Sequence, residues 1–202
     1  MIKKTFSILL SFLLLIFTAN LLSQTTLDYD NRVHPEIAKD FMVVSQSHHA
    51  TEAGYQILED GGNAIDAAVA VGFALAVTLP RAGNIGGGGF MLIYTADSQE
   101  VSAIDYRSAA PVAATSEMYL TESGVVRFGH LVNAVPGSVA GLVKAHKEYG
   151  GLSLKEVLRP AIQLARKGFP VSYDLNYVLG WGKNSMLANN ASKKKFYNPK
   201  DK

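Results

Sequence analysis

No cysteine occurs among the 202 residues. That single absence excludes disulfide scaffolds, thiolate zinc sites, iron–sulfur clusters and a cysteine nucleophile. Charge is scarce as well: 18% of residues are Asp, Glu, Lys or Arg, against about a quarter in an ordinary soluble domain. The chain has no G-x-S-x-G nucleophile elbow and no His-x-x-x-His metal spacing. Its glycines fit neither phosphate signature, Walker A nor G-x-G-x-x-G. Internal repeats are absent, and no linker splits the chain in two. What is present is apolar, 48% hydrophobic, which excludes a disordered chain.

Residues 1–23 read as an address. Lys3 and Lys4 precede an uncharged run of 17 residues, Phe6 to Leu22, the basic-then-apolar pattern of a secretory signal. Cleavage after Ser23 is expected, so that the protein is exported to a periplasmic or extracellular location. An uncleaved membrane anchor is the alternative, because the run approaches the roughly 17–25 residues that span a bilayer. Without Lys3 and Lys4 the 19 basic residues fall to 17 and match the 17 acidic ones. Five of those lysines cluster at Lys193, Lys194, Lys195, Lys200 and Lys202. The remainder is slightly acidic, which is no footprint for nucleic acid.

Further along, Phe41 to Gln46 reads as a short strand. Ser47 is placed to cap a helix from about His48 to Asp60, which Gly61-Gly62 stops. Asn63 and Asp66 have capping-box spacing for a second helix, Ala64 to Leu79, apolar on nearly every side and therefore a core element. Phe90 to Thr95 and Val101 to Arg107 read as a hairpin around Asp97-Ser98. A short helix is expected near Ser116–Leu120 and another from Ser138 to Tyr149. Ser153-Leu-Lys-Glu156 is a capping box that opens a helix to Lys167, with a break or kink at Pro160 and a stop at Gly168. Beyond Val171 the sequence is polar and shows no clear periodicity.

The run Gly83-Asn-Ile-Gly-Gly-Gly-Gly-Phe90 is costly in backbone entropy and needs a reason. Because it leads into a strand rather than a helix N-terminus, close backbone packing suits it better than a phosphate cradle. The histidines are His34, His48, His49, His130 and His146. His48 and His49 are adjacent and so diverge by about 100° on a helix; no metal or other cofactor is expected. The acids Glu59, Asp60 and Asp66 read as helix-end charges. Asp105-Tyr106-Arg107 ends an otherwise apolar strand just before Pro111 redirects the chain. An arginine there can grip a carboxylate through two parallel charge-assisted hydrogen bonds, or it can pair with Asp105; spacing leaves both open. Asn190-Ala-Ser192 fits a glycosylation sequon, which matters only in a eukaryotic secretory host.

A dozen short motifs run in register between residues 40 and 200. They include Met42-Val-Val-Ser-Gln46, Glu52-Ala-Gly54, Gly61-Gly-Asn-Ala-Ile-Asp-Ala-Ala68, Gly86-Gly-Gly-Gly-Phe90 and Asp105-Tyr-Arg107. Val135-Pro-Gly137, Gly141-Leu142, Tyr149-Gly150, Pro160-Ala-Ile162 and Gly168-Phe-Pro-Val171 continue the series. Together they resemble the N-terminal, large-subunit part of the γ-glutamyltranspeptidase (glutathione hydrolase) family over roughly residues 40–200, and the resemblance implies that residues 24–202 are that large-subunit portion. The resemblance implies an α+β fold, part of an αββα N-terminal-nucleophile hydrolase sandwich that is incomplete in this chain. It implies a precursor that cuts itself into large and small subunits, the latter beginning with a nucleophilic Thr whose α-amine is the base. It further implies glutathione and other γ-glutamyl compounds as donors, with water, amino acids or peptides as acceptors. By the same resemblance Arg107 binds the α-carboxylate of the γ-glutamyl group, and Gly86–Gly89 have a packing role. No Thr-Thr-His-Phe-like nucleophile stretch occurs in these residues, so no catalytic residue is assigned here and the small subunit is the expected partner. The competing expectations are a secreted non-catalytic module of the same fold and a related amide acylase acting, for example, on a β-lactam side chain.

Overall fold

The structure, a computed structural model, describes residues 37–121, 124–125, 129–187 and 190–196. The expected signal segment, His34 and the lysines beyond Phe196 lie outside them. Residues 1–40 and 41–202 form separate units; the described stretch of the first, residues 37–40, contains no helix or strand. All elements below belong to the second.

Helices α1 (His48–Glu59) and α2 (Ala64–Thr78) come first, followed by strands β1 (Phe90–Thr95) and β2 (Glu100–Asp105). A 3-10 turn over Glu117–Tyr119 leads to β3 (Leu120–Thr121) and β4 (Gly124–Val125), which pair antiparallel. Next are α3 (Ser138–Tyr149), α4 (Leu154–Lys167), α5 (Tyr173–Trp181), α6 (Lys183–Leu187) and α7 (Asn190–Phe196). The mixed content is the α+β class expected.

The apolar α2 is the hub: α1, α3 and α4 all pack on it. Small residues let α1 approach closely, with Ala50, Ala53 and Ala74 buried at that contact together with Ala161 of α4. A Cβ at Gly54 would stand 2.5 Å from Val71 Cγ2. The larger core joins Ile57, Val69, Leu142 and Val157 to Ile93 and Ile104 of the hairpin. β1 and β2 pair antiparallel, Phe90 opposite Asp105 and Thr95 opposite Glu100. Met91, Ile93 and Ile104 face that core, whereas Phe90, Leu92, Tyr94 and Val101 are exposed on the other side.

Local signals fixed most boundaries. Asn63 Oδ1 accepts from the N–H groups of Ile65 and Asp66 while Asp66 Oδ2 accepts from the Asn63 N–H, a complete capping box. The Ser153–Glu156 box is equally complete. There the Ser153 hydroxyl, then its N–H, hold the Glu156 carboxyl below the usual carboxylate range. Gly61 and Gly168 take φ of +90° and +78° at the ends of α1 and α4, conformations open to glycine but costly for other residues.

Several expectations fail, most of them for nonlocal reasons. Phe41–Gln46 alternates between half-buried and exposed as a strand would, but no partner strand pairs with it among the described residues. Ser47 stands at the N-cap of α1 without making the cap bond; its hydroxyl donates to Thr78 Oγ1 at 2.8 Å instead. β2 stops at Asp105, two residues early, because Arg107 has no partner on β1. Helix α4 runs through Pro160 without a break; the burial of Val157 and Ala161 on either side holds both halves to the core. The polar stretch after Val171 forms α5 to α7, started by Ser172, whose hydroxyl accepts from the Leu175 N–H at 3.1 Å.

Asp66 differs most from its expected role. Its side chain is fully buried rather than a surface helix-end charge. Besides capping α2, it accepts from the Gly151 N–H at 2.9 Å and the Leu152 N–H at 3.2 Å. Asn63 Nδ2 adds a bond to the Tyr149 carbonyl at 2.7 Å. His146 Nε2 lies 2.9 Å from the Leu152 carbonyl and so carries the proton there. The N-terminus of α2 thereby clamps the turn between α3 and α4.

Candidate functional site

The segment following β2 sits where three parts of the chain converge. Tyr106 exchanges backbone hydrogen bonds with Gly89, its N–H donating at 3.0 Å and its carbonyl accepting at 3.3 Å. The Gly87 carbonyl accepts from the N–H groups of Gly137 at 2.9 Å and Ser138 at 3.0 Å, tying the glycine run to the start of α3. Ala109 and Val135 exchange bonds of 3.1 and 2.8 Å one step further on. β2's exit is therefore held from both sides.

Close approach is why glycines stand here. A Cβ at Gly88 would lie 2.6 Å from the Tyr106 carbonyl oxygen and would collide with the Ser108 nitrogen. A Cβ at Gly141, on the first turns of α3, would overlap Cβ and Cγ of Tyr106. Gly89 also stands against that ring, where a Cβ would lie 2.9 Å from Tyr106 Cε2. The half-buried phenol donates to the Phe90 carbonyl at 3.4 Å, and burial pushes its pKa up. The packing role expected for the four glycines is displayed by Gly88 and Gly89, against the Tyr106–Ser108 segment; Gly86 and Gly87 have only Asn84 and Ser138 near. Sequence reasoning noted Gly137 and Gly141 without giving them a task; their spacing of four on one helix face was the available signal.

Arg107 emerges from this cage exposed. Asp105 Oδ1 accepts from the Arg107 backbone N–H at 2.8 Å, a turn that fixes where the arginine leaves the strand. The guanidinium makes no ion pair with Asp105; Nη1 donates to Ser108 Oγ at 2.9 Å. A cationic fork held at one corner can receive a carboxylate on its remaining donors. A cavity of about 160 Å³ adjoins the cage, lined by Gly87, Gly88, Tyr106, Ser138 and Leu142 among others. Arg107 does not line it.

A larger cavity, about 470 Å³, lies between α1 and α4 and shares no residue with the cage. Its polar lining includes Glu52, Gln56 and Lys167, while its Arg159 is committed to Asp60. His49 at its rim packs edge-on against Phe169, with ring centroids 5.6 Å apart. Size alone does not make a site: this one gathers no set of groups matched to a reaction, whereas the segment after β2 presents an exposed cation on a fixed backbone. Among the described residues, no three His, Asp or Glu side chains gather to hold a metal.

Residues 50–202 match a family model described as gamma-glutamyltranspeptidase. The chain is 49% identical over 144 residues to the glutathione hydrolase proenzyme of Escherichia coli (strain K12), covering 69% of this chain and 25% of that protein. It is 43% identical over 149 residues to the glutathione hydrolase proenzyme of Bacillus subtilis (strain 168), covering 71% and 25%. The chain thus spans about a quarter of the length of these curated relatives. Among solved structures it resembles the Helicobacter pylori gamma-glutamyltranspeptidase, with a TM-score of 0.78 and 42% identity over 83% of this chain and 49% of that one.

Proposed function

Because the chain belongs to the gamma-glutamyltranspeptidase family, we propose that it supplies the donor-binding arginine of an enzyme that cleaves the γ-glutamyl amide of glutathione and its conjugates. The observation that carries this reading is Arg107 itself: an exposed guanidinium at the end of β2, its backbone locked by the glycine cage and by Asp105. The α-carboxylate of a γ-glutamyl donor docks on the fork, each charge-assisted bond contributing roughly 1.5–3 kcal/mol. That contact fixes the donor end to end, so its γ-carbonyl lies at a set distance from the attacking group.

The attacking hydroxyl is not assigned to any of these residues. In the proposed enzyme it is the Thr at the N-terminus of a small subunit cut from the same precursor, activated by its own α-amine. The hydroxyl adds to the γ-carbonyl, the amine leaving group takes the proton, and a γ-glutamyl ester remains. Water, or the amine of an amino acid or peptide, then releases the γ-glutamyl group and restores the hydroxyl. Residues 1–23 direct export in this reading, which puts the enzyme in contact with external γ-glutamyl compounds.

The test is hydrolysis of γ-glutamyl-p-nitroanilide by the protein expressed from its gene, beside its Arg107→Lys variant. An ammonium is a point donor and cannot reproduce the planar fork, so KM should rise about tenfold or more, as loss of one bidentate contact implies. Wild-type kinetics in the variant would remove Arg107 from donor binding.

A further inference from the structure

A long, exposed side chain samples many rotamers unless its end is held. Arg107 is held by its neighbour. Nη1 donates to Ser108 Oγ at 2.9 Å, and no other hydrogen bond or ion pair engages that guanidinium among the described residues. Ser108 is itself fixed: it is half-buried, its nitrogen presses on Gly88 so closely that no Cβ fits there, and Ala109 beyond it is bridged to Val135.

We infer that Ser108 is a positioning residue that pre-orients the Arg107 fork for the donor carboxylate, an inference that rests on the donor-binding reading of Arg107. The hydroxyl occupies one hydrogen of Nη1. Nε–H and Nη2–H, the paired donors of the other edge, stay available for a bidentate carboxylate. Pinning one corner of a planar group removes rotation that would otherwise be lost only when the donor binds, which is the energetic content of pre-organisation. The bond is exposed and joins adjacent residues, so it adds little to fold stability. Its loss belongs in KM.

The experiment compares wild type, Ser108→Ala, Ser108→Thr and Arg107→Ala in the protein expressed from its gene. Kinetics with γ-glutamyl-p-nitroanilide and thermal melting are measured for each. Ser108→Ala should raise KM about three- to tenfold, the range for one lost hydrogen bond, with kcat within about twofold and an unchanged Tm. Ser108→Thr keeps the hydroxyl and should restore the wild-type KM. If Ser108→Ala leaves KM unchanged while Arg107→Ala raises it, Ser108 has no positioning role and the reading of Arg107 survives. If Ser108→Thr fails to rescue, or Ser108→Ala lowers Tm and kcat together, the residue is structural and the inference is overturned. If Arg107→Ala itself keeps the wild-type KM, or the wild-type protein shows no turnover, the donor-binding reading falls and this inference with it.

Discussion

Replacing Gly141 with Ala sets two opposed effects against each other. Inside a helix, Ala is favoured over Gly by about 1 kcal/mol, so propensity alone predicts a more stable protein. The added methyl, however, would overlap Cβ and Cγ of Tyr106. Those atoms sit next to the backbone, and that backbone is bonded to Gly89 in both directions. The far end of the ring is confined as well, since Gly89 stands against its Cε2, Cζ and Oη atoms. Overpacking of this kind costs typically 1–3 kcal/mol, and contact with rigid atoms places Gly141 at the upper end. The net expectation is a loss of about 1–2 kcal/mol, or a fall in Tm of roughly 2–8 °C for a chain of this size. Tyr106 immediately precedes Arg107, so the same displacement moves the fork. A shift near 1 Å in a positioning group costs up to about 100-fold in rate, so kcat/KM for γ-glutamyl-p-nitroanilide should fall about 10- to 100-fold. Gly180→Ala is the control. A Cβ there meets no atom within 4 Å, so stability should hold or rise by up to about 1 kcal/mol and kcat/KM should not change. A Gly141→Ala protein that melts and turns over like wild type would refute the cage argument, because propensity would then have outweighed the collision.

Asp66→Ala should destabilise by about 2–4 kcal/mol. Removing the carboxylate takes the acceptor from the N–H groups of Asn63, Gly151 and Leu152 at once, all of which donate to Oδ2; denaturant midpoints at constant m check this. Ile57 is fully buried in the core shared by α2 and the hairpin, and Ile57→Ala should cost about 2–5 kcal/mol by the same measurement. Residues 1–202 expressed alone should hydrolyse no γ-glutamyl-p-nitroanilide above background; robust turnover would place a nucleophile within this chain and contradict the small-subunit assignment.

What could be read from the sequence was whatever depends on neighbours in the chain. The Asn63–Asp66 and Ser153–Glu156 boxes, the stops at Gly61 and Gly168, and the span of α3 all rest on spacings of three or four residues, and all appear where expected. The errors at Ser47 and Asp66 have the opposite property. Ser47 prefers Thr78, 31 residues away, to its own helix. Asp66 serves Gly151 and Leu152, 85 and 86 residues away, a partnership no local window contains. The site divides in the same way. Arg107 and the glycine run were visible as motifs, but the partner of the glycines, the Tyr106 backbone and ring, was not. That partnership exists only once α3 brings Gly137 and Gly141 against the end of β2.

The hairpin carries the argument from fold to architecture. An antiparallel pair with one wet face shows polar residues alternating with apolar ones. Here Phe90, Met91, Leu92, Ile93 and Tyr94 follow one another without interruption, and the run is apolar on both sides of the sheet. One side meets α2 and α3 through Ile93 and Ile104. The other displays Phe90, Leu92, Tyr94 and Val101, each more than 60% exposed. A two-stranded hairpin is marginal on its own, and a contiguous apolar face marks a surface meant for contact. Both facts are accounted for if the sheet is an inner layer, helices on one side and a second sheet on the other, as the αββα sandwich requires. On that arrangement Arg107, two residues past the end of β2, lies at the end of a middle-layer strand, the place from which its proposed donor-binding role would act.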